Sequence, residues 1–175
     1  MKFKRVALLI LVLLVSSITY SQQSIMTWKA EKPLQWEDFT GVVDSSSEFS
    51  AATSAGITYS YRYTKINNTY SFKFDVAASI DKNKSWTKLN KQTPELLRHE
   101  QVHFDLAELY SRQLLEEFTS HKFTNNYKEE IKQITDTVFQ ELTNSQLKYD
   151  EETNHGRKEE KQQEWEAYIK RQLLQ

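Results

Sequence analysis

The sequence contains no cysteine, which excludes disulfide bonds, thiolate metal ligands and a cysteine nucleophile. Glycine and proline are scarce, at 3 and 2 of 175 residues, and this excludes collagen-like and low-complexity chains. Neither sign of charge dominates, since 23 Lys and Arg face 24 Asp and Glu, and no basic run indicates a nucleic-acid partner. Any catalysis must therefore come from histidines, carboxylates, hydroxyls or a bound metal.

One long apolar run is present, and it lies near the N-terminus. Three basic residues precede Val6–Val15, and small polar residues follow it up to Ser21. A bilayer span needs about 20 apolar residues, so this order predicts a cleaved signal peptide over residues 1–21 rather than an anchor. We therefore expect a secreted or periplasmic protein whose remaining residues, 22–175, form one domain with no stable membrane anchor.

Alternation of apolar and polar residues predicts an antiparallel hairpin in the first half of this domain. Residues 57–64 set an isoleucine and three tyrosines against polar neighbours, and residues 70–80 alternate in the same way. Asn67 and Asn68 between the two segments favour a turn, because short polar side chains tolerate a left-handed backbone. Residues 22–54 show no such period and are expected to be irregular.

The second half of the domain has the pattern of three helices. Thr93 and Pro94 are typical of an N-cap and a first helical residue, and apolar residues then recur at helical spacing to about Phe118. Two further amphipathic segments run from about residue 126 to 148 and from 157 to 174. The chain is thus predicted to be α+β, with a small antiparallel sheet followed by three helices.

The first predicted helix carries His99-Glu100-Gln101-Val102-His103, an H-E-x-x-H pattern. Histidines four residues apart share one helical face, with Cβ atoms about 5–6 Å apart, so both rings can bind one Zn²⁺. Glu100 is displaced from that face and is expected to be the general base that activates water. A metal is favoured over two structural histidines, because burying two neutral rings without partners for their nitrogens is costly.

A catalytic zinc needs a third protein ligand and an open fourth position. His121 is a poor candidate, because helical rise alone places it about 27 Å beyond the motif. His155 follows the second helix, which can return the chain to the motif, and it is the expected third ligand. Asp150, Glu152 and Glu159 are alternative oxygen ligands, and Asp150 could instead orient a ligand histidine through its second ring nitrogen.

Several segments match one known pattern. They are residues 34–41 (L-x-W-x-D-F-x-G), the tyrosine-rich hairpin, Ser85-Trp86, residues 97–108 (L-x-H-E-Q-x-H-F-D-x-A-E) and residues 149–156 (Y-D-x-x-T-x-H-G). Together they resemble an exported bacterial family, domain of unknown function 922, described as predicted secreted zinc-dependent proteases. The resemblance implies a zincin-like fold and peptidase activity, with His99, Glu100 and His103 at the motif positions and His155 as the third ligand.

The expected function is that of an exported zinc metallopeptidase acting on a peptide or protein substrate. An extended substrate could pair with an edge strand of the sheet, for which residues 70–80 are the candidate. One alternative is a zinc-containing envelope protein without turnover, which docks a partner through residues 157–175. Glu100 disfavours it, because a purely structural site has no need of a base. The other alternative is a metal-dependent amidase that acts on cell-wall material with the same residues.

Overall fold

The computed structural model describes residues 24–67 and 69–174, so the predicted signal peptide, residues 1–21, lies outside the described residues. Within those ranges the chain is α+β, as predicted, with strands first and helices after them. The strands are β1 (Ile25–Thr27), β2 (Ala51–Ala52), β3 (Ala55–Ile66), β4 (Thr69–Asp81) and β5 (Trp86–Thr87), and the helices are α1 (Pro94–Ser120), α2 (Tyr127–Thr153) and α3 (Glu159–Leu173).

β3 and β4 form the predicted hairpin, and both strands are slightly longer than the alternating segments. The register pairs Tyr61 with Phe74 and Tyr63 with Phe72, and each pair packs its rings with centroids 5.8 Å and 5.5 Å apart. Asn67 has a φ of 47°, in the left-handed region that a short polar side chain tolerates. β1 pairs with the end of β4, so the antiparallel sheet has the order β1-β4-β3.

The segment predicted to be irregular contains two short strands. β1 belongs to the main sheet, whereas β2 pairs with β5 in a separate two-stranded antiparallel ribbon. Strands of two or three residues offer too few positions to show an alternating period, so the sequence pattern could not reveal them. The ribbon contacts α1 and brings residues 50–53 beside that helix.

α1 is the central element, because it contacts β3, β4, α2 and α3. Thr93 caps it as predicted: its Oγ1 accepts a hydrogen bond from the backbone N–H of Leu96 at 3.2 Å, and Pro94 is the first helical residue. Six of its apolar side chains are almost fully buried and join both hydrophobic clusters of the protein. They are Val102, Phe104, Leu106, Ala107, Leu114 and Phe118.

α2 continues to Thr153, five residues past the predicted end at residue 148. Tyr149 and Thr153 face the core and are fully buried, and the Thr153 hydroxyl donates to the Tyr149 carbonyl at 2.7 Å. The sequence pattern ends the helix early, because the acidic residues between Tyr149 and Thr153 hide the two inward-facing positions of this last turn. Asp150 therefore lies on a helix and not on a flexible connection.

A left-handed corner separates α2 from α3. Asn154, His155 and Gly156 have φ values of 49°, 53° and 75°, and the Asn154 N–H caps the last carbonyls of α2. α3 then packs against α1 and α2. No helix in residues 24–67 and 69–174 combines the length and the apolar character that crossing a bilayer requires.

The position of Gly41 yields a stability prediction. A Cβ there would lie 2.7 Å from the Ser85 carbonyl oxygen and 2.8 Å from that of Asn83, so a backbone segment would have to move. We expect Gly41→Ala to lower the free energy of unfolding by about 1–3 kcal/mol, the range for overpacking.

The matched control is Gly56→Ala in β3, where a Cβ would meet no atom within 4 Å. This change should leave the free energy of unfolding unchanged or raise it by about 0.5–1 kcal/mol. Chemical denaturation of the two variants checks the difference, and equal stabilities would contradict the close approach at Gly41.

Candidate metal centre

His99 and His103 lie one turn apart on α1 and face the same point. Their Nε2 atoms are 3.3 Å apart, and the two rings are nearly perpendicular at 89°. Both residues are buried, with 3% and 8% of their surface exposed. The spacing of the motif therefore has the predicted consequence, since both rings reach a common position from one helical face.

Asp150 of α2 completes this arrangement. Its Oδ1 lies 3.1 Å from the Nε2 of His99 and 3.1 Å from the Nε2 of His103. Among the described residues, these three form a group whose possible ligand atoms all lie within 4.8 Å of one another. Two nitrogens and one carboxylate oxygen thus converge from two different helices.

His155 is close to this group but is not part of it. Its Nδ1 lies 3.5 Å from the Oδ1 of Asp150, and its ring packs on Phe49 with centroids 4.7 Å apart. The His155 side chain is 37% exposed, whereas those of His99 and His103 are buried. The prediction that α2 returns this segment to the motif is confirmed, and Asp150, which was an alternative oxygen ligand, lies 3.1 Å from a nitrogen of each ring.

The other candidate ligands have different partners. His121 lies beyond the far end of α1 with its Nε2 3.4 Å from Glu130, away from the motif as the helical rise predicts. Glu152 accepts a hydrogen bond from the indole N–H of Trp165 at 2.8 Å. Glu159 pairs with an arginine of α1 at 3.1 Å. None of these three residues joins the His99, His103 and Asp150 group.

The electrostatics of the group favour a positive charge at its centre. Burial acts to lower the pKa of His103, but its hydrogen bond to Asp150 and the negative charges of Glu100 and Asp150 outweigh burial and raise that pKa. Burial acts to raise the pKa of Asp150, but hydrogen bonds from His103 and His99 hold it well below the usual range of an aspartate. Asp150 is therefore an ionised carboxylate at neutral pH.

Glu100 lies beside the two histidines and is 3% exposed. Thr53, in the connection between β2 and β3, donates its hydroxyl proton to Oε2 of Glu100 at 2.6 Å. This contact fixes one carboxylate oxygen and restricts the side-chain rotamer. The short strand β2, which sequence patterning missed, thereby positions the residue predicted to be the base.

Two buried residues, Tyr149 and Gln162, contact the His99 ring. Tyr149 of α2 stacks on the His99 ring with centroids 4.7 Å apart and donates its hydroxyl proton to Oε1 of Gln162 at 2.6 Å. The Nδ1 of His99 lies 3.2 Å from the same oxygen of Gln162. The second ring nitrogen of His99, Nδ1, therefore faces Gln162 of α3. Asp150, which was considered for this contact, faces Nε2 instead.

Sequence reasoning did not identify Gln162. It belongs to a polar helix in which Gln163 is its direct neighbour, and no motif distinguishes the buried glutamine from the exposed one. No sequence motif marks Thr53 either, because its partner Glu100 lies 47 positions away in the sequence.

The group opens onto a cleft of about 480 Å³. Its wall contains all three residues of the group together with Glu100, His155 and the β2 segment. β4 contributes none of the described lining residues, so residues 70–80, predicted as the substrate edge, do not border the cleft. The strand beside it is β2, which has β5 on one side only.

The fold and the site define an α+β protein in which two buried histidines and a partly exposed aspartate converge at the wall of an open cleft. A family model described as bacterial protein of unknown function (DUF922) matches residues 40–156, well over half of the chain, and the chain belongs to this family. The match contains α1 and α2 and ends at Gly156, before α3 begins. No curated protein and no solved structure matches the chain.

The left-handed corner yields a prediction about His99. A Cβ on Gly156 would lie 3.0 Å from Cγ of His99, and the φ of 75° is one that other residues rarely adopt. We expect Gly156→Ala to displace the His99 ring and to lower the free energy of unfolding by about 1–3 kcal/mol. NMR signals of the His99 ring and chemical denaturation check both effects. A result equal to that of Gly56→Ala would contradict the contact.

Proposed function

We propose that the chain is an exported, zincin-like metallopeptidase that hydrolyses peptide bonds with Zn²⁺ and Glu100. One observation carries the proposal: the donor atoms of His99, His103 and Asp150 converge at the wall of a cleft that Glu100 also lines. Export is inferred from residues 1–21, whose basic start and apolar run are typical of a signal peptide.

The spacing of the donor atoms fits zinc. Two ligands bound tetrahedrally at about 2.0–2.1 Å lie about 3.3–3.4 Å from each other. The Nε2 atoms of His99 and His103 are 3.3 Å apart, and each lies 3.1 Å from the Oδ1 of Asp150. Two imidazoles and one carboxylate form a donor set found in catalytic zinc sites, which keep a fourth position open.

Glu100 supplies the acid–base chemistry. A zinc ion held by the three ligands would supply Lewis acidity, which polarises a carbonyl and makes water more acidic. Thr53 occupies Oε2 of Glu100, which leaves Oε1 to accept a proton from the attacking water. As the carbon–nitrogen bond breaks, Glu100 returns that proton to the leaving amine nitrogen. The new bond joins the water oxygen to the carbonyl carbon.

The substrate edge is assigned to β2 and not to residues 70–80. Ala51 and Ala52 pair with β5 along one edge, and residues 50–53 line the cleft beside Glu100. An extended peptide can pair with the other edge through main-chain hydrogen bonds, which places a peptide bond near the group. The small side chains of β2 leave the cleft open at this point.

One observation favours the second candidate function, a zinc-containing envelope protein without turnover. His155 lies 3.5 Å from Asp150, near enough that a small movement would add it as a fourth protein ligand. A zinc site closed by four protein ligands is structural, because it has no position for water or substrate. The number of protein ligands therefore separates the two functions.

The zinc affinity of two single variants tests how many protein ligands the zinc ion has. We expect Asp150→Ala to weaken zinc binding by more than about 100-fold, beyond the range for an outer partner, and His155→Ala to weaken it by less than about 10-fold. His121→Ala is the matched control and should leave affinity unchanged. Titration with a competing chelator measures each constant. Equal losses at Asp150 and His155 would indicate a closed site and the structural function.

Hydrolysis tests the role of Glu100. We expect Glu100→Gln to keep zinc affinity within a few-fold while lowering the hydrolysis of denatured casein by about 100-fold or more, because the amide cannot accept the proton. Glu116→Gln, an exposed change on the same helix, is the control for altered charge. Unchanged hydrolysis in Glu100→Gln would remove Glu100 from the mechanism. Release of amines from cell-wall fragments but not from casein would instead assign the amidase activity.

A further inference from the structure

We propose that Gln162 of α3 is a positioning residue that binds Nδ1 of the His99 ring and so directs Nε2 of that ring to the metal position. The inference rests on the proposed function in one respect, since it takes the His99, His103 and Asp150 group as the metal site. It adds a residue from outside the segment that the family model matches, which ends at residue 156.

The burial of Gln162 is unusual for an amide side chain. Only 1% of the residue is exposed, although Lys161 and Gln163 on either side of it face solvent. Burying an amide is costly unless its polar atoms have partners. Here the carbonyl oxygen faces both Nδ1 of His99 at 3.2 Å and the hydroxyl of Tyr149 at 2.6 Å.

The partner on the other side determines the orientation of this amide. The Nε2 of Gln162 donates to Oε1 of Glu166 at 2.9 Å, and Glu166 also lies 3.5 Å from the guanidinium of Arg98. A carboxylate that pairs with a guanidinium accepts hydrogen bonds, so the NH₂ group of Gln162 faces Glu166. The oxygen of Gln162 then faces Nδ1 of His99 and can accept a proton from it.

Asp150 faces the other nitrogen of the same ring. Its Oδ1 lies 3.1 Å from Nε2 of His99, so an acceptor oxygen stands at each nitrogen of this imidazole. A neutral imidazole carries a single proton. A metal held at Nε2 would therefore leave that proton on Nδ1, where the oxygen of Gln162 accepts it.

Three variants separate the hydrogen bond from packing. Gln162→Met keeps the length of the side chain but removes the acceptor, and we expect zinc affinity to fall about 10–100-fold, the range for outer partners of ligand histidines. The double variant Gln162→Glu/Glu166→Gln exchanges donor and acceptor while keeping the acceptor for His99, and it should recover most of the affinity. Gln163→Met, on the exposed side of α3, is the control and should not change affinity.

The His99 ring provides a readout that needs neither zinc nor activity. Ring ¹H and ¹⁵N chemical shifts of the zinc-free protein should be the same in Gln163→Met as in the unmodified chain. They should change in Gln162→Met, because Nδ1 loses its acceptor, and the double variant should restore them. Far-ultraviolet circular dichroism verifies that each variant is folded.

The two measurements distinguish this inference from the proposed function. Wild-type zinc affinity in Gln162→Met, or His99 ring shifts that stay unchanged in that variant, overturns the role of Gln162 and leaves the peptidase proposal intact. Failure of the unmodified protein to bind zinc overturns the peptidase proposal. In that case the ring shifts still decide whether Gln162 positions His99.

Discussion

The structure depends on one contact above all, in which a single carboxylate oxygen of Asp150 meets two imidazole nitrogens. The contact joins α1 to α2. It also gives each polar group a partner, because burying an imidazole or a carboxylate without one costs free energy. The hydrogen bonds from both rings keep Asp150 ionised, because they lower its pKa more than burial raises it. A negative charge at the wall of the cleft, with two imidazole nitrogens beside it, is an environment that stabilises a cation.

The rest of the fold serves to hold α1 in relation to its neighbours. The hairpin packs on one side of this helix, while α2 and α3 pack on the others, so that its buried residues join both hydrophobic clusters. Three segments around α1 contribute polar groups to the site: Asp150 comes from α2, Gln162 from α3 and Thr53 from the connection after β2. Side chains placed by several packed elements have little freedom to move, and such restriction suits a site that must present its donor atoms in one geometry.

Much of the fold could be predicted from the sequence because its signals are local. The alternating tyrosines indicated the hairpin, and Thr93 with Pro94 indicated the start of α1. The two short strands β1 and β2 were missed, since so few residues cannot show a period. The end of α2 was placed five residues early because acidic side chains surround the inward-facing Tyr149 and Thr153.

The sequence by itself determined that His99 and His103 share a face with Glu100 beside them, because a helix with 3.6 residues per turn imposes this arrangement wherever it forms. It also determined membership of the family through residues 40–156. Only the tertiary structure decided that Asp150 lies 3.1 Å from a nitrogen of each ring, and that Gln162 contacts His99 and Thr53 contacts Glu100. These contacts join residues about 47 to 63 positions apart, and their distances follow from how the helices pack and not from any local spacing.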